Sequence, residues 1–321
     1  TGNTAYLDLP RSQFDYIWAL GEERDIRTLE MSLGHHWLGA FTAHAGDYTM
    51  FVAPYRYGDH GWFDYQPLSP VYPTALWNIT MAEADWARIE ALRNVEKYDW
   101  RTVIPYRNKE DAGHEQPWLR YLAGDNPTYP EAILQATTAM VMHRLALIAN
   151  DQADLTKVNI HHWQEHNPII CEALVQLTLG APQFIYNGGL LHCRVRYFDA
   201  DRQRPGLPPD VAALVETLTD QRTVIKLVNL SPFAEHKVII QAGGFGEHRF
   251  TAVTYDVRTS EYPGSHKSYA PAPITVRTET VQAALPTGDR YLQVVLPPST
   301  QITLDLATAR YVNPPDYGLP W

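Results

Sequence analysis

The chain has few cysteines, no basic run and no long apolar run, and each shortage excludes a class of protein. Among 321 residues, Lys and Arg number 26 against 36 Asp and Glu, and the formal net charge is −10. A nucleic-acid partner is therefore not expected, because phosphate binding needs a clustered basic surface. The two cysteines, Cys171 and Cys193, are too few for a disulfide framework, although one bridge between them stays open. No segment approaches about 20 apolar residues, so no membrane span is predicted.

Apolar and aromatic residues are abundant by contrast. Hydrophobic residues make up 45% of the chain, with 9 Trp and 19 Tyr. This content is sufficient for buried cores, and the length favours two domains over one. Aromatic rings fill cores, but they also stack on sugar rings, so their excess favours a carbohydrate ligand.

Helical periodicity dominates the part of the chain before residue 220. Apolar residues recurring every three to four positions predict helices over residues 12–20, 24–33, 72–95, 130–149 and 209–218. The first two are predicted to form a helical hairpin that turns at Gly21. A further buried helix is predicted to begin at Pro168, with Asn167 as its N-cap, and to stop at Gly180.

A long polar loop is predicted over residues 99–129, and it carries the sequence KEDAGHEQPW at 109–118. Loops of this length in a compact domain usually have a function. We therefore predict that it forms a wall or lid of the site. The alternative is a domain-bridging loop held by salt bridges.

The pattern changes near residue 220. At least six short segments rich in β-branched residues follow, separated by turn signals and by no helix. Such a pattern predicts an antiparallel β-sandwich over 220–321, after a helical domain over 1–219. The Pro- and aromatic-rich end, VNPPDYGLPW, is predicted to pack across a domain surface.

Two segments resemble parts of a known enzyme group, namely TGNTAYLD at the start and the join of RPGLPPDVAALVETL to TVIKLVNLSP. They are similar to (α/α)-toroid carbohydrate-active enzymes with a C-terminal β-sandwich, which include polysaccharide lyases and glycoside hydrolases. The resemblance implies an α+β multidomain fold and cleavage of a glycosidic bond in a poly- or oligosaccharide, by hydrolysis or β-elimination. It also implies a secreted or periplasmic location.

In such enzymes, segments like TGNTAYLD link the two helices of a hairpin. The resemblance therefore implies that the given sequence begins inside a hairpin. The chain is therefore expected to be the C-terminal part of a longer protein. A second chain or a missing N-terminal segment would then complete the toroid. A non-catalytic, sugar-binding subunit of a larger assembly stays open on this ground, and it predicts a large exposed apolar face.

A weaker resemblance points to another enzyme class. Residues 14–33 are similar to late helices of the linalool dehydratase/isomerase group, which implies dehydration or isomerisation of a small apolar alcohol. That group carries no terminal sandwich. It predicts an enclosed apolar pocket instead of an open groove.

The candidate site centres on residues 159–199, where polar side chains gather at both ends of the predicted buried helix. β-Elimination needs a base, a donor for the substrate carboxylate and an acid for the leaving oxygen, whereas hydrolysis needs two carboxylates. The predicted catalytic residues are His162, His166, Tyr186, Glu165 and Glu172. The predicted substrate-binding residues are Asn167, Asn187, His192, Arg194, Tyr197, His114, Glu115 and Trp118. A helix-capping network is the alternative interpretation of the same cluster.

Two groups of side chains contain residues that commonly bind metal ions. The first group is His161, His162, Glu165 and His166, and the second is His35, His36, Asp59, His60 and Asp64. Neither matches the HExxH spacing of a zinc enzyme. The prediction is therefore no metal and no cofactor, with a saccharide as the partner.

Overall fold

The computed structural model describes residues 3–25, 27, 49–58, 61–66, 68, 71–95, 100–103, 115–168, 172–181, 192–261, 275–283 and 289–321. These residues hold seven α-helices and twelve strands in three antiparallel sheets. The chain divides into two compact units. The helical unit comprises Asn3–Gln176 and Pro182–Gly189, and the sheet unit comprises Thr1–Gly2, Leu177–Ala181 and Leu190–Trp321.

The predicted helical toroid is wrong. The described helices share their unit with a three-stranded sheet instead of forming a ring of hairpins. The first predicted hairpin is wrong where its second helix should begin, because residues 22–25 form strand β1 (Glu22–Asp25), which pairs with β2 (Thr49–Gly58). Residues 26 and 28–33 of that predicted helix lie outside the described residues. Strand β3 (Gly61–Gln66) completes this sheet on the other side of β2. Strand pairing has therefore overridden the helical spacing in this segment.

The chain begins with a 3-10 turn, Thr4–Leu7, that leads into helix α1 (Asp8–Ala19). Phe14 is the buried residue of α1, and its ring lies 5.9 Å from that of Tyr72. Gly21 then lets the chain pass close beneath Phe51 of β2, whose ring is 4.5 Å from that of Trp18. This contact packs α1 against the sheet.

Replacing Gly21 with Ala is expected to lower the free energy of unfolding by about 1–3 kcal/mol. A Cβ atom at this position would overlap the Phe51 ring atoms Cζ, Cε1 and Cε2. Chemical denaturation followed by circular dichroism would measure the loss. In a Phe51→Leu background the same substitution should cost less, since the clashing ring is gone. An equal cost in both backgrounds would contradict this packing.

Two helices occupy the range predicted as one, because α2 (Val71–Thr80) and α3 (Glu83–Val95) are separated at Met81, which has φ 53°. The fully buried Asp85 of α3 accepts hydrogen bonds from Arg11 Nε at 2.9 Å and Arg88 Nη1 at 3.0 Å. Burial acts to raise the pKa of Asp85, but hydrogen bonds from Arg11 and Thr80 outweigh it and lower the pKa. The ionised carboxylate thus joins α1 to α3.

The predicted long loop is wrong in part, because residues 115–122 form helix α4 (Glu115–Leu122). Helix α5 (Tyr129–Asn150) follows, and the prediction of a helix over 130–149 is confirmed. By length and composition α5 could span a membrane, and 11% of its apolar window is buried. A single helix of this kind is weak support for a span, since core helices of water-soluble proteins pass the same test.

Two short helices end the helical part, namely α6 (Ile160–Glu165) and α7 (Glu172–Leu179). The predicted start at Pro168 is wrong, because residues 167 and 168 lie outside any helix. The predicted stop is confirmed, since Gly180 follows α7 with φ 62°. A positive φ at this position is typical of the glycine that ends a helix.

Within its described residues, the sheet unit contains nine antiparallel strands. They are β4 (Val195–Asp199), β5 (Arg204–Pro205), β6 (Val211–Leu218), β7 (Arg222–Asn229), β8 (His236–Ala242), β9 (Arg249–Glu261), β10 (Thr275–Ala283), β11 (Tyr291–Leu296) and β12 (Gln301–Ala309). One sheet has the order β10-β9-β12-β7-β6, and the other has the order β11-β8-β4-β5. The chain crosses from one sheet to the other after β5, β7, β8, β10 and β11, as in an antiparallel sandwich. Strands β7 to β12 confirm the six strand predictions.

The helix predicted over 209–218 is wrong, because β6 pairs along its length with β7, from Val211 opposite Asn229 to Leu218 opposite Thr223. The C-terminal tail behaves as predicted and packs on the turn between β8 and β9. Asn313 donates from its side chain to the His248 carbonyl at 2.8 Å, and the Asp316 N–H donates to the Phe245 carbonyl at 2.8 Å.

Candidate functional site

Helix α6 brings two histidines to one side of the chain. Asn159 caps the helix, since its side chain accepts a hydrogen bond from the His161 N–H at 2.9 Å. The helix ends after Glu165, where the His166 N–H donates to the His162 carbonyl at 3.1 Å. Side chains four positions apart meet on a helix surface, and the His162 and His166 rings stack with centroids 4.1 Å apart.

Asp151, immediately after α5, completes the site. Its Oδ2 atom lies 2.9 Å from His162 Nε2 and 3.9 Å from His166 Nε2. Its Oδ1 atom accepts a hydrogen bond from the Ala153 N–H at 2.8 Å, which fixes the carboxylate. We call Asp151, His162 and His166 the Asp151 cluster. Among the described residues, this is the one group of three His, Cys, Asp or Glu side chains with metal-ligand spacing.

Hydrogen bonds set the charge and the tautomer within the Asp151 cluster. The Ala153 N–H, together with the charge of His162, lowers the pKa of Asp151, so this carboxylate is ionised at neutral pH. His166 Nδ1 lies 2.7 Å from the His162 carbonyl. A carbonyl oxygen can only accept, so Nδ1 carries the proton and a neutral ring has its lone pair on Nε2.

An exposed indole lies beside the cluster. Trp163 is 52% exposed, and its ring meets the His162 ring edge-on with centroids 5.6 Å apart. The three cluster side chains are only partly exposed, at 15% for His162, 18% for His166 and 23% for Asp151. A flat apolar surface therefore adjoins a group of partly exposed polar side chains.

Comparison with protein families covers this site. Residues 1–175 match the model described as Domain of unknown function (DUF8034). The chain belongs to this family. The DUF8034 segment includes all three residues of the Asp151 cluster and ends before the strands of the sheet unit. Among curated proteins, no sequence matches the chain.

Several solved structures are weakly similar to the chain, and three of them contain a bound saccharide. An arabinose-bound α-L-arabinofuranosidase, MgGH51, has a TM-score of 0.23 and 20% identity over 32% of this chain and 16% of that chain. The arabinose complex of α-L-arabinofuranosidase from Thermotoga maritima has a TM-score of 0.21 and 17% identity over 31% of this chain and 19% of that chain. TmCBM61 in complex with β-1,4-galactotriose has a TM-score of 0.15 and 12% identity over 37% of this chain and 73% of that chain. This chain thus spans less than a fifth of either arabinofuranosidase.

Within the DUF8034 segment, the structure brings together two of the predicted catalytic residues, His162 and His166. Glu165 lies at the end of α6 and is exposed. Asn167 is also exposed, and its carbonyl accepts a hydrogen bond from Arg144 at 2.6 Å. Trp118 is fully buried in α4, which leaves no surface for the predicted contact with a substrate.

Other predicted residues lie elsewhere. Arg194 and Tyr197 are 5% and 2% exposed in the core of the sheet unit, where burial lowers the pKa of Arg194 to about 9. Substrate binding needs side chains that solvent reaches, so their burial argues against that role. Burial also lowers the pKa of the half-buried His192 to about 4. His114, Tyr186, Asn187 and Cys171 lie outside the described residues, as do the side chains of Glu115 and Glu172. The alternative of a bridge between Cys171 and Cys193 therefore stays open.

Asp151 is the cluster residue that sequence reasoning missed. It comes from the end of a different helix, 11 positions before His162. The sequence does contain a signal for the two histidines of the cluster. His162, Glu165 and His166 have the spacing H-x-x-E-H, which reverses the HExxH order. The two histidines of either motif share one helix face, whereas the third ligand has no fixed spacing.

Proposed function

We propose that the chain is a carbohydrate-active enzyme that binds a saccharide on Trp163 and cleaves a glycosidic bond at the Asp151 cluster. The observation that carries the proposal is the half-exposed Trp163 indole against the His162 ring of the Asp151 cluster. One face of a pyranose ring presents C–H groups, which pack on an indole, while its hydroxyl groups need hydrogen-bonding side chains nearby. Both parts are present within one short helix and the residue that follows α5.

The cluster also supplies chemistry. Imidazoles beside a carboxylate can move protons to and from reacting oxygen and carbon atoms. Hydrolysis by two carboxylates needs a second acid beside Asp151, and the exposed Glu165 at the end of α6 is the candidate. β-Elimination needs no second carboxylate, since an imidazole can serve as the base. Both reactions therefore stay within the proposal, and their products distinguish them.

Replacing Trp163 with Ala is expected to weaken saccharide binding about tenfold, which corresponds to about 1.4 kcal/mol of stacking. A panel of neutral and uronate oligosaccharides would be titrated calorimetrically against the wild-type chain and the variant. Tyr16→Ala is the matched control, because Tyr16 is a 68% exposed aromatic residue on α1, away from the cluster in sequence. It should bind as the wild type does.

Two results would contradict the proposal at different levels. Equally strong saccharide binding by wild type and Trp163→Ala would show that the saccharide does not bind on Trp163. Binding without any release of reducing ends or of ultraviolet-absorbing unsaturated products would favour the non-catalytic sugar-binding subunit. The dehydratase/isomerase alternative expects an enclosed apolar pocket, whereas Trp163 is open to solvent.

A further inference from the structure

We infer that the Asp151 cluster binds a first-row divalent metal ion, held by a carboxylate oxygen of Asp151 and the Nε2 atoms of His162 and His166. This assignment goes beyond saccharide binding, because it names an inorganic ligand for the same residues. Two imidazoles and one carboxylate form a ligand set that suits Zn²⁺ and its first-row neighbours. The metal binding does not rest on the proposed function, whereas any catalytic use of the metal does.

Distances support a shared ligand. Tetrahedral ligands of Zn²⁺ lie about 3.3 Å apart, given metal–ligand bonds of about 2.0–2.1 Å. Asp151 Oδ2 lies 2.9 Å from His162 Nε2 and 3.9 Å from His166 Nε2, so the two separations bracket that value. The candidate ligand atoms of the three residues all lie within 4.8 Å of one another. Small side-chain rotations would therefore complete the site without moving the backbone.

The tautomer of His166 strengthens the inference. Its Nδ1–H donates to the His162 carbonyl at 2.7 Å, which leaves the Nε2 lone pair directed towards the Asp151 carboxylate. Two lone-pair atoms facing each other repel unless a proton or a cation lies between them. A backbone carbonyl that holds the non-ligating nitrogen is also the usual outer-shell support of a metal-binding histidine.

The alternative is a purely structural network of hydrogen bonds. A buried or half-buried Asp is commonly paired with Arg or Lys, as Asp85 is with Arg11 and Arg88. Within the described part of the chain, the ion pairs of Asp151 are with His162 and His166 and with no Arg or Lys. Two imidazoles instead lie within 4 Å of one carboxylate oxygen, which is the arrangement of a shared cation ligand set.

Three protein ligands leave a coordination position open. Metal sites of this kind hold water or a substrate oxygen at the fourth position, where the ion polarises the bound group. The cluster side chains are partly exposed, so small molecules can reach them. If the proposed function holds, a metal-bound water at the open position would take the role of the base, because ligation would occupy the Nε2 atoms of both imidazoles, and the saccharide would lie beside Trp163.

The test is calorimetric titration of ZnCl₂ into the full chain after chelation and desalting. We expect one equivalent to bind at neutral pH, and the variants Asp151→Asn and His166→Ala to bind at least about tenfold more weakly. The matched control is His161→Ala, which removes an exposed histidine of the same helix outside the cluster. Circular dichroism checks that each variant is folded. No saturable binding, or equal affinity in all variants, would overturn the inference.

A second measurement does not depend on variants. CoCl₂ added to the wild-type chain should give visible absorption bands with intensities typical of tetrahedral or five-coordinate Co²⁺, and added ZnCl₂ should remove them. The spectrum of hydrated Co²⁺ alone would overturn the metal site. Zinc binding with no saccharide cleavage would uphold the metal site and contradict the proposed function. Saccharide cleavage that persists after chelation, by a chain that binds no zinc, would support the proposed function and contradict the metal site.

Discussion

Replacing Phe198 with Ala is expected to lower the free energy of unfolding of the sheet unit by about 3–5 kcal/mol. Phe198 is fully buried in β4, an inner strand of the four-stranded sheet. Its ring meets that of Tyr291 at 6.5 Å and that of Trp321 at 5.7 Å. Truncation would leave a cavity and would also release the C-terminal Trp321 from its contact.

Denaturant titration followed by far-ultraviolet circular dichroism would measure this loss. Phe233→Ala is the matched control, because Phe233 lies in the same unit and is 91% exposed. Its effect should stay within about 0.5 kcal/mol. Similar losses for the two variants would contradict the burial assigned to β4.

Lowering the pH from 7 to 5 is expected to destabilise the sheet unit by about 2 kcal/mol through His248 alone. Burial, reinforced by the charges of Arg194 and Arg310, lowers the pKa of His248 from 6.5 to about 3. The neutral ring is required because the Tyr311 N–H donates to its Nδ1 atom at 3.0 Å. Protonation would therefore break the contact that holds the start of the C-terminal tail.

The sign follows from the direction of the shift. The folded chain binds the proton more weakly than the unfolded chain, so stability is full above pH 6.5 and is lost as the pH falls towards 3. The stability of wild type, His248→Gln and His143→Gln would be measured by denaturant titration at pH 7 and pH 5. His143 is an exposed residue of α5 and serves as the control. We expect His248→Gln to lose about 2 kcal/mol of the pH dependence, and a full wild-type dependence in that variant would contradict the account.

The sequence alone predicts those elements whose residue pattern fits only one type of secondary structure. The strands β7 to β12 alternate β-branched residues, and α5 carries a long apolar repeat with Pro130 in its first turn. The helix predicted for residues 211–218 is wrong. Their Ala, Leu and Glu residues favour a helix, but pairing with the neighbouring strand β7 makes this segment a strand. The toroid prediction is wrong for the same reason, since strand pairing builds a three-stranded sheet among the described helices, and β1 lies where the second helix of the first hairpin should begin.

The candidate site was predictable only in the part that one helix contains. His162 and His166 lie four positions apart, so their meeting follows from helix geometry. Asp151 joins them through the turn between α5 and α6, which no spacing rule predicts. Arg194 and Tyr197 follow the candidate helix in sequence, yet they enter a different unit as core residues of the sheets.

Saccharide cleavage by the double variant His162→Ala/His166→Ala is the most direct test of the Asp151 cluster as the reactive centre. Reducing ends and unsaturated products would be measured on the best-bound oligosaccharide, with His161→Ala as the control and circular dichroism as the check on folding. The proposal predicts cleavage by the wild type and the control, and a loss of at least about a hundredfold in the double variant. Cleavage at the wild-type rate by a folded double variant would contradict it.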